Sequence, residues 1–119
     1  MAICRVILNH KFKSMNEYIN ECRTNFYVAN KTKQQETMLS ALAFSKIPPI
    51  KKFPIELIFY WHIKTKTSDL DGRLPKNIID GLVRSKRIPD DNVKYIQKIT
   101  HQYIGDNQDY VEVEIKEMK

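Results

Sequence analysis

The sequence predicts an α+β domain: a small mixed β-sheet with helices packed on it, in the order β-α-(α)-β-α-β-β. Three observations carry this. One run near the middle alternates apolar and polar residues with strong β character. Two segments show helical spacing, the first behind a capping sequence. Two further strand patterns close the chain around a glycine-containing turn. No internal repeat, linker or low-complexity tract divides the 119 residues, so a single domain spanning 1–119 is expected.

Ile3 to Leu8 is a short, mostly apolar run and reads as the first strand. Ser14-Met15-Asn16-Glu17 then matches a capping box, in which the serine accepts from the third amide and the glutamate reaches back. A helix should begin there, with Met15, Tyr18, Ile19, Cys22 and Phe26 forming one buried face. The helical pattern continues to about Ser45 after a bend near Asn25–Asn30. Met38, Leu39, Leu42 and Ala43 supply its apolar face, and Pro48-Pro49 ends it. Lys31 and Lys33 lie on the polar side, either as a solvated helix face or as a phosphate-contacting ridge.

Phe53 to Ile63 is the strongest strand signal. Ile55, Leu57, Phe59, Trp61 and Ile63 alternate with Glu56, Ile58, Tyr60 and His62, so the first set belongs to the core. Trp61 reads as core, and His62 as a surface or hydrogen-bonded residue on the other face. After Gly72, Pro75 fits the first turn of a helix. On that helix Leu74, Ile78, Ile79, Leu82 and Val83 gather on one side, and Arg73, Lys76, Asn77, Asp80 and Arg84 on the other. Pro89-Asp90-Asp91-Asn92 is a turn by composition. Strands are expected over Val93–Ile104 and Tyr110–Ile115, joined through Gly105-Asp106-Asn107-Gln108 as a hairpin.

Charge is unevenly spread. Residues 1–64 hold ten Lys/Arg and four Asp/Glu, whereas residues 65–119 hold ten of each, and every aspartate lies from Asp69 onward. The net charge of +6 and pI near 9.3 favour a polyanionic partner. No apolar run approaches the ~20 residues of a membrane helix, and Met1-Ala2-Ile3-Cys4-Arg5 is no signal-peptide opening, so neither a membrane nor an exported location is expected. Cys4 and Cys22 have no metal-type spacing and read as buried free thiols of a cytoplasmic protein.

Asp69-Leu70-Asp71 carries the chemistry. In extended backbone, residues i and i+2 point the same way, so both carboxylates can aim at one point and a hard divalent cation would relieve their repulsion. Asp90 or Asp91 is the candidate third ligand, with Mg²⁺ or Mn²⁺ as the cation. Lys76 would stabilise charge developing on a phosphate, and Asp80, at i+4, can pair with it. Gly72–Arg87 holds Arg73, Lys76, Arg84, Lys86 and Arg87 against Asp80, a net +4 beside a helix N-terminus where a phosphate can rest. The same residues also have a purely structural reading: an Asp-x-Asp-Gly turn caps a helix without any metal.

Asp69-Leu70-Asp71, Lys76, Asp80-Gly81-Leu82, Asp90-Asp91 and a C-terminal strand pair together resemble the RusA-type Holliday junction resolvases of phages and prophages. Ser14-Met15-Asn16-Glu17-Tyr18-Ile19-Asn20, with Arg23, Asn25, Tyr27 and Lys31/Lys33, is similar to Gram-positive phage members, so the likeness spans most of the chain. The resemblance implies a homodimeric, Mg²⁺-dependent endonuclease that cuts four-way DNA junctions by paired nicks in the host cytoplasm, with no small-molecule cofactor. By match, Asp69, Asp71 and Asp91 are its metal-binding acids and Lys76 its catalytic lysine. Lys31 and Lys33 gain weight as DNA contacts. The chain departs from the family pattern at Gly72, where asparagine is usual, and by one extra residue between Asp71 and Lys76. A catalytically silent junction-binding or regulatory protein with the same fold is the alternative, and a basic protein whose main partner is another protein is a third.

Overall fold

The computed structural model describes residues 2–64 and 72–118. Their elements are β1 (Ala2–Leu8), α1 (Met15–Thr24), α2 (Phe26–Phe44), β2 (Ile55–His62), α3 (Lys76–Arg84), β3 (Ile96–Ile104) and β4 (Tyr110–Glu117). The four strands form one mixed sheet in the order β1-β4-β2-β3. β4 is antiparallel to both β1 and β2, and β3 runs parallel to β2. The α+β class and the order of elements are those the sequence predicts.

One connection differs. β3 and β4 do not form the expected hairpin, because β2 lies between them. The reason is in β2 itself: besides the predicted core set, Ile58 and His62 are also buried, so both faces need cover and both edges need neighbours. α3 then crosses over the sheet and delivers β3 parallel to β2 on one side, while β4 fills the gap between β2 and β1. The 105–109 link must therefore pass over the carboxyl end of β2. β3 also starts later than expected, at Ile96, because the Asn92 carbonyl accepts from both Tyr95 N and Ile96 N and holds 92–95 in a turn.

Ile55, Leu57, Phe59, Trp61 and Ile63 enter the core as predicted, joined by Val111, Val113 and Ile115 of β4 and by Val6 and Leu8 of β1. Phe44, Ile78, Leu82 and Ile88 close the core from the helical side. Cys4 and Cys22 are free but only half-buried, and burial pushes the Cys4 thiol up.

The helical faces need correcting. The capping box is present, with Glu17 N donating to Ser14 Oγ at 3.2 Å and Ser14 N to Glu17 Oε1 at 3.1 Å. Yet α1 buries no residue: Met15 and Ile19 are exposed, as is Phe26 beyond it, because this ten-residue helix packs on α2 and not on the sheet. The chain breaks at Asn25, inside the expected bend, where its Oδ1 accepts from Tyr27 N and Val28 N and caps α2. α2 buries Ala29, Glu36, Thr37, Ser40, Ala41 and Phe44, whereas Met38 and Leu42 are exposed. Small residues win that face because α3 approaches closely: a Cβ on Gly81 would lie 2.5 Å from Ser40 Cβ. The two helices run side by side in the same direction, meeting at Glu36–Asn77, Ser40–Gly81 and Phe44–Arg87.

Candidate metal and nucleic-acid site

In open sheets with parallel strands and crossover helices, ligands bind beyond the carboxyl ends of the strands, where helix N-termini also point. Here β1, β2 and β3 share one carboxyl end, and α3 leaves from it. Asp69 and Asp71 lie outside the described residues. The residues that flank their segment stand at this end: Lys64 N donates to Asp109 Oδ1 at 3.2 Å, and Arg73 bridges to Ser14.

Lys76 opens α3 with its ammonium exposed, 3.4 Å from Asp80 Oδ1, the i,i+4 pair expected from the sequence. Pro75 precedes it, and its carbonyl accepts from Ile79 N, so the first helical turn is closed without a side-chain cap. Asn77, expected among the polar outer residues, is instead buried and donates from Nδ2 to Glu36 Oε1 at 2.9 Å. Glu36 went unread in the sequence. Its Oε2 accepts from Lys13 N at 3.1 Å and lies 3.3 Å from His10 Nε2, so one buried carboxylate ties the β1–α1 link, α2 and α3 together.

His62 ends β2, buried as well as hydrogen-bonded. Its Nδ1 is 2.7 Å from Asp106 Oδ2, its ring stacks on Tyr110 at 3.9 Å, and Glu112 Oε1 is 3.9 Å from Nε2. His62 Nε2 and Arg73 Nε are both buried without a hydrogen-bond partner among the described residues, and both residues line a small cavity of about 20 Å³. A space of that size holds one water. Forty-four residues separate His62 from Asp106, and only the path of the 105–109 link brings them together.

The second acid pair lies elsewhere. Ile55 pairs with Ile96 and Ile55 N donates to Tyr95 O, so the Asp90-Asp91 turn sits at the amino ends of β2 and β3. Asp90 is committed to that turn, accepting from Asp91 N at 2.8 Å and Asn92 Nδ2 at 3.0 Å. The turn therefore lies toward the end of the sheet opposite to that where Arg73 and Lys76 stand. Asp90 and Asp91 are thus not beside Lys76 in one protomer, and their expected meeting with Asp69 and Asp71 lies outside the described residues. Among the described residues no three acidic, histidine or cysteine groups are placed to hold a metal. Near the carboxyl end of β2 the described carboxylates include Glu17, beside Arg73, and Asp106, Asp109 and Glu112.

The cations divide similarly. Lys31 and Lys33 are exposed on the amino-terminal half of α2. Arg84 and Lys86 are exposed at the far end of α3, with Lys86 at φ 62°. Arg87 is spoken for: it donates to the carbonyls of Phe44, Ser45 and Ser85 and fastens the ends of α2 and α3. The helix-free face of the sheet is self-neutralised, with Arg5 against Glu112 and Glu114, and Lys98 against Glu56. Tyr60 donates to Glu114 at 2.6 Å, a bond that pushes its phenol up, so this face offers no cationic track for a phosphate backbone.

No protein-family model and no characterised protein matches the chain. Among the described residues no helix is long and apolar enough to cross a membrane.

Proposed function

We propose that this protein is a metal-dependent, structure-specific endodeoxyribonuclease of RusA type, acting on four-way DNA junctions as a homodimer. The observation that carries the reading is one of position. The segment bearing Asp69-Leu70-Asp71 is flanked on both sides by residues at the carboxyl end of the parallel strands, beside the N-terminus of α3 and the exposed Lys76. Two carboxylates are the hard oxygen donors that Mg²⁺ or Mn²⁺ takes. When bound, such a cation polarises a phosphoryl oxygen and acidifies its own water. Lys76, steered by Asp80, would neutralise charge growing on the scissile phosphate. A homodimer offers one such site to each of two equivalent strands of a junction.

A second reading has its own observation. Asp91, the third acid of the family pattern, is remote from Lys76 in the same protomer, as a junction-binding protein that no longer cuts would tolerate. Cleavage of a synthetic four-way junction with Mg²⁺ or Mn²⁺, against linear duplex, separates the two. The nuclease reading expects metal-dependent nicking of the junction alone, lost in Asp71→Asn. Salt-sensitive junction binding with no nicking under either cation would replace it with the silent protein.

A further inference from the structure

Only part of the face of α2 that the sequence marks as apolar reaches the core: Leu39 and Ala43 pack against it, whereas Met38 and Leu42 are exposed. These residues line a groove of about 690 Å³ between α2 and the end of β1. Ile7 and Leu42 are each 62% exposed there and Met38 43%, an unusual amount of aliphatic surface for side chains that share one groove. β1 forms one wall, and it is an edge strand: β4 pairs with one side of it, and among the described residues no strand pairs with the other. Edge strands normally carry a lysine, a proline or an inward charge that blocks further pairing. The β1 sequence AICRVIL has one such charge, Arg5, turned inward over the sheet to Glu112, Glu114 and the Tyr60 ring; where β1 lines the groove, Ile7, Leu8 and Asn9 carry none. The opposite edge, β3, is by contrast polar, with Gln97, Lys98, Thr100 and Gln102.

We propose that this groove takes an extended segment of another protein, which adds to β1 as a fifth strand and lays its side chains on α2. Adding a strand gives affinity through the main chain and specificity through alternate side chains. The α2 side of the groove is read along Lys31, Gln35, Met38, Leu42 and Lys46, with a cation at each end, aliphatics between, and no acidic residue among the lining side chains. The fourteen helical residues from Lys31 to Phe44 rise about 20 Å, the length of about six extended residues. β1 itself is seven residues long. The matching partner is therefore a short strand with aliphatic side chains inside and an acidic group, or a chain-terminal carboxylate, toward each lysine. A phosphate backbone does not suit an aliphatic floor. The inference does not rest on the nuclease reading, since Met38, Leu42 and Lys46 have no part in it and Lys31 alone is shared.

The test uses the full chain and labelled heptapeptides with valine at alternate positions, carrying either aspartate or lysine at both ends. Binding is followed by fluorescence anisotropy, and hydrogen exchange follows the amides of Arg5 and Ile7. The aspartate-ended peptide should bind about tenfold tighter than the lysine-ended one and slow exchange along β1. Leu42→Asp, an exposed change whose folding is checked by circular dichroism, should abolish binding, and Lys46→Glu should narrow the preference between peptides. Equal affinity for both peptides, or no binding with β1 exchange unchanged, would overturn the proposal. So would a stable dimer in sedimentation that Leu42→Asp dissolves, because the groove would then belong to a second copy.

Discussion

The close approach of α3 to α2 rests on Gly81, and Gly81→Ala measures it. A methyl group there meets Ser40 Cβ at 2.5 Å, Ala41 N at 2.8 Å and Thr37 O at 2.9 Å. Carbon contacts are optimal near ~3.5–4.0 Å, so the helices must part by roughly 1 Å. Two of the three atoms are backbone and cannot swing aside. Overpacking of this kind costs about 1–3 kcal/mol, whereas alanine in place of glycine gains a helix up to about 1 kcal/mol. With rigid atoms on the other side the steric cost dominates, and net destabilisation should be about 1–2 kcal/mol, or roughly 5 °C in Tm for a domain of this size. Urea titration should show the midpoint fall with an unchanged slope. Gly105→Ala is the matched control: its methyl also meets atoms at 2.9–3.2 Å, but they belong to the exposed, mobile end of the Tyr103 side chain. It should cost less than about 0.5 kcal/mol. A Gly81→Ala protein as stable as wild type would show that α2 and α3 are not packed through this contact.

Three further outcomes follow from the same structure. Glu36→Ala strips the acceptor from buried Asn77 and from Lys13 N, and should destabilise by about 2–4 kcal/mol in urea titration, with Glu36→Gln costing less. Burial lowers the His101 pKa below its ordinary 6.5, and its Nδ1 accepts from Trp61 Nε1 at 2.8 Å. The unfolded chain therefore binds the proton more readily. The contribution of neutral His101 is full above pH 6.5 and lost as pH falls through the folded-state value, so Tm should drop across that window, and less so in His101→Asn. Arg87→Ala should lower stability by about 1–3 kcal/mol while leaving the salt dependence of the proposed DNA binding unchanged, whereas a phosphate contact, the role proposed for Lys31, should reduce the salt slope by about one when replaced by alanine.

Local chemistry was the legible part of this fold. Ser14 and Glu17 form their capping box, Pro75 opens α3, Lys76 meets Asp80, and the alternate residues of β2 fill the core. The helical faces were misread for a physical reason: apolar periodicity says which residues prefer burial, and the Gly81 contact decides which residues fit. It selects Ser40 and Ala41 over Met38 and Leu42. Glu36 and the His62–Asp106 pair were invisible because each depends on partners more than twenty residues away.

The misplaced acids have the same origin as the misplaced hairpin. If β3 and β4 were hairpin neighbours, the sequence would leave the direction of β3 relative to β2 open, and Asp90-Asp91 could fall anywhere near Asp69-Leu70-Asp71. Once β3 is parallel to β2, the crossover must leave from one end of the sheet and arrive at the other. The described residues that end β2 and those just before β3 then lie toward opposite ends of the sheet. The doubly buried pattern of β2, with Ile58 and His62 covered as well as the alternating set, is what forces it to be central and gives it a parallel neighbour. The consequence can be measured on the acids themselves. If one protomer supplies its whole cation site, Asp71→Asn abolishes junction nicking and Asp91→Asn leaves it within a fewfold of wild type, since Asp91 then serves only its turn. Equal loss in both variants would refute that geometry, because Asp91 would have to reach a site at the opposite end of its own sheet or on another copy.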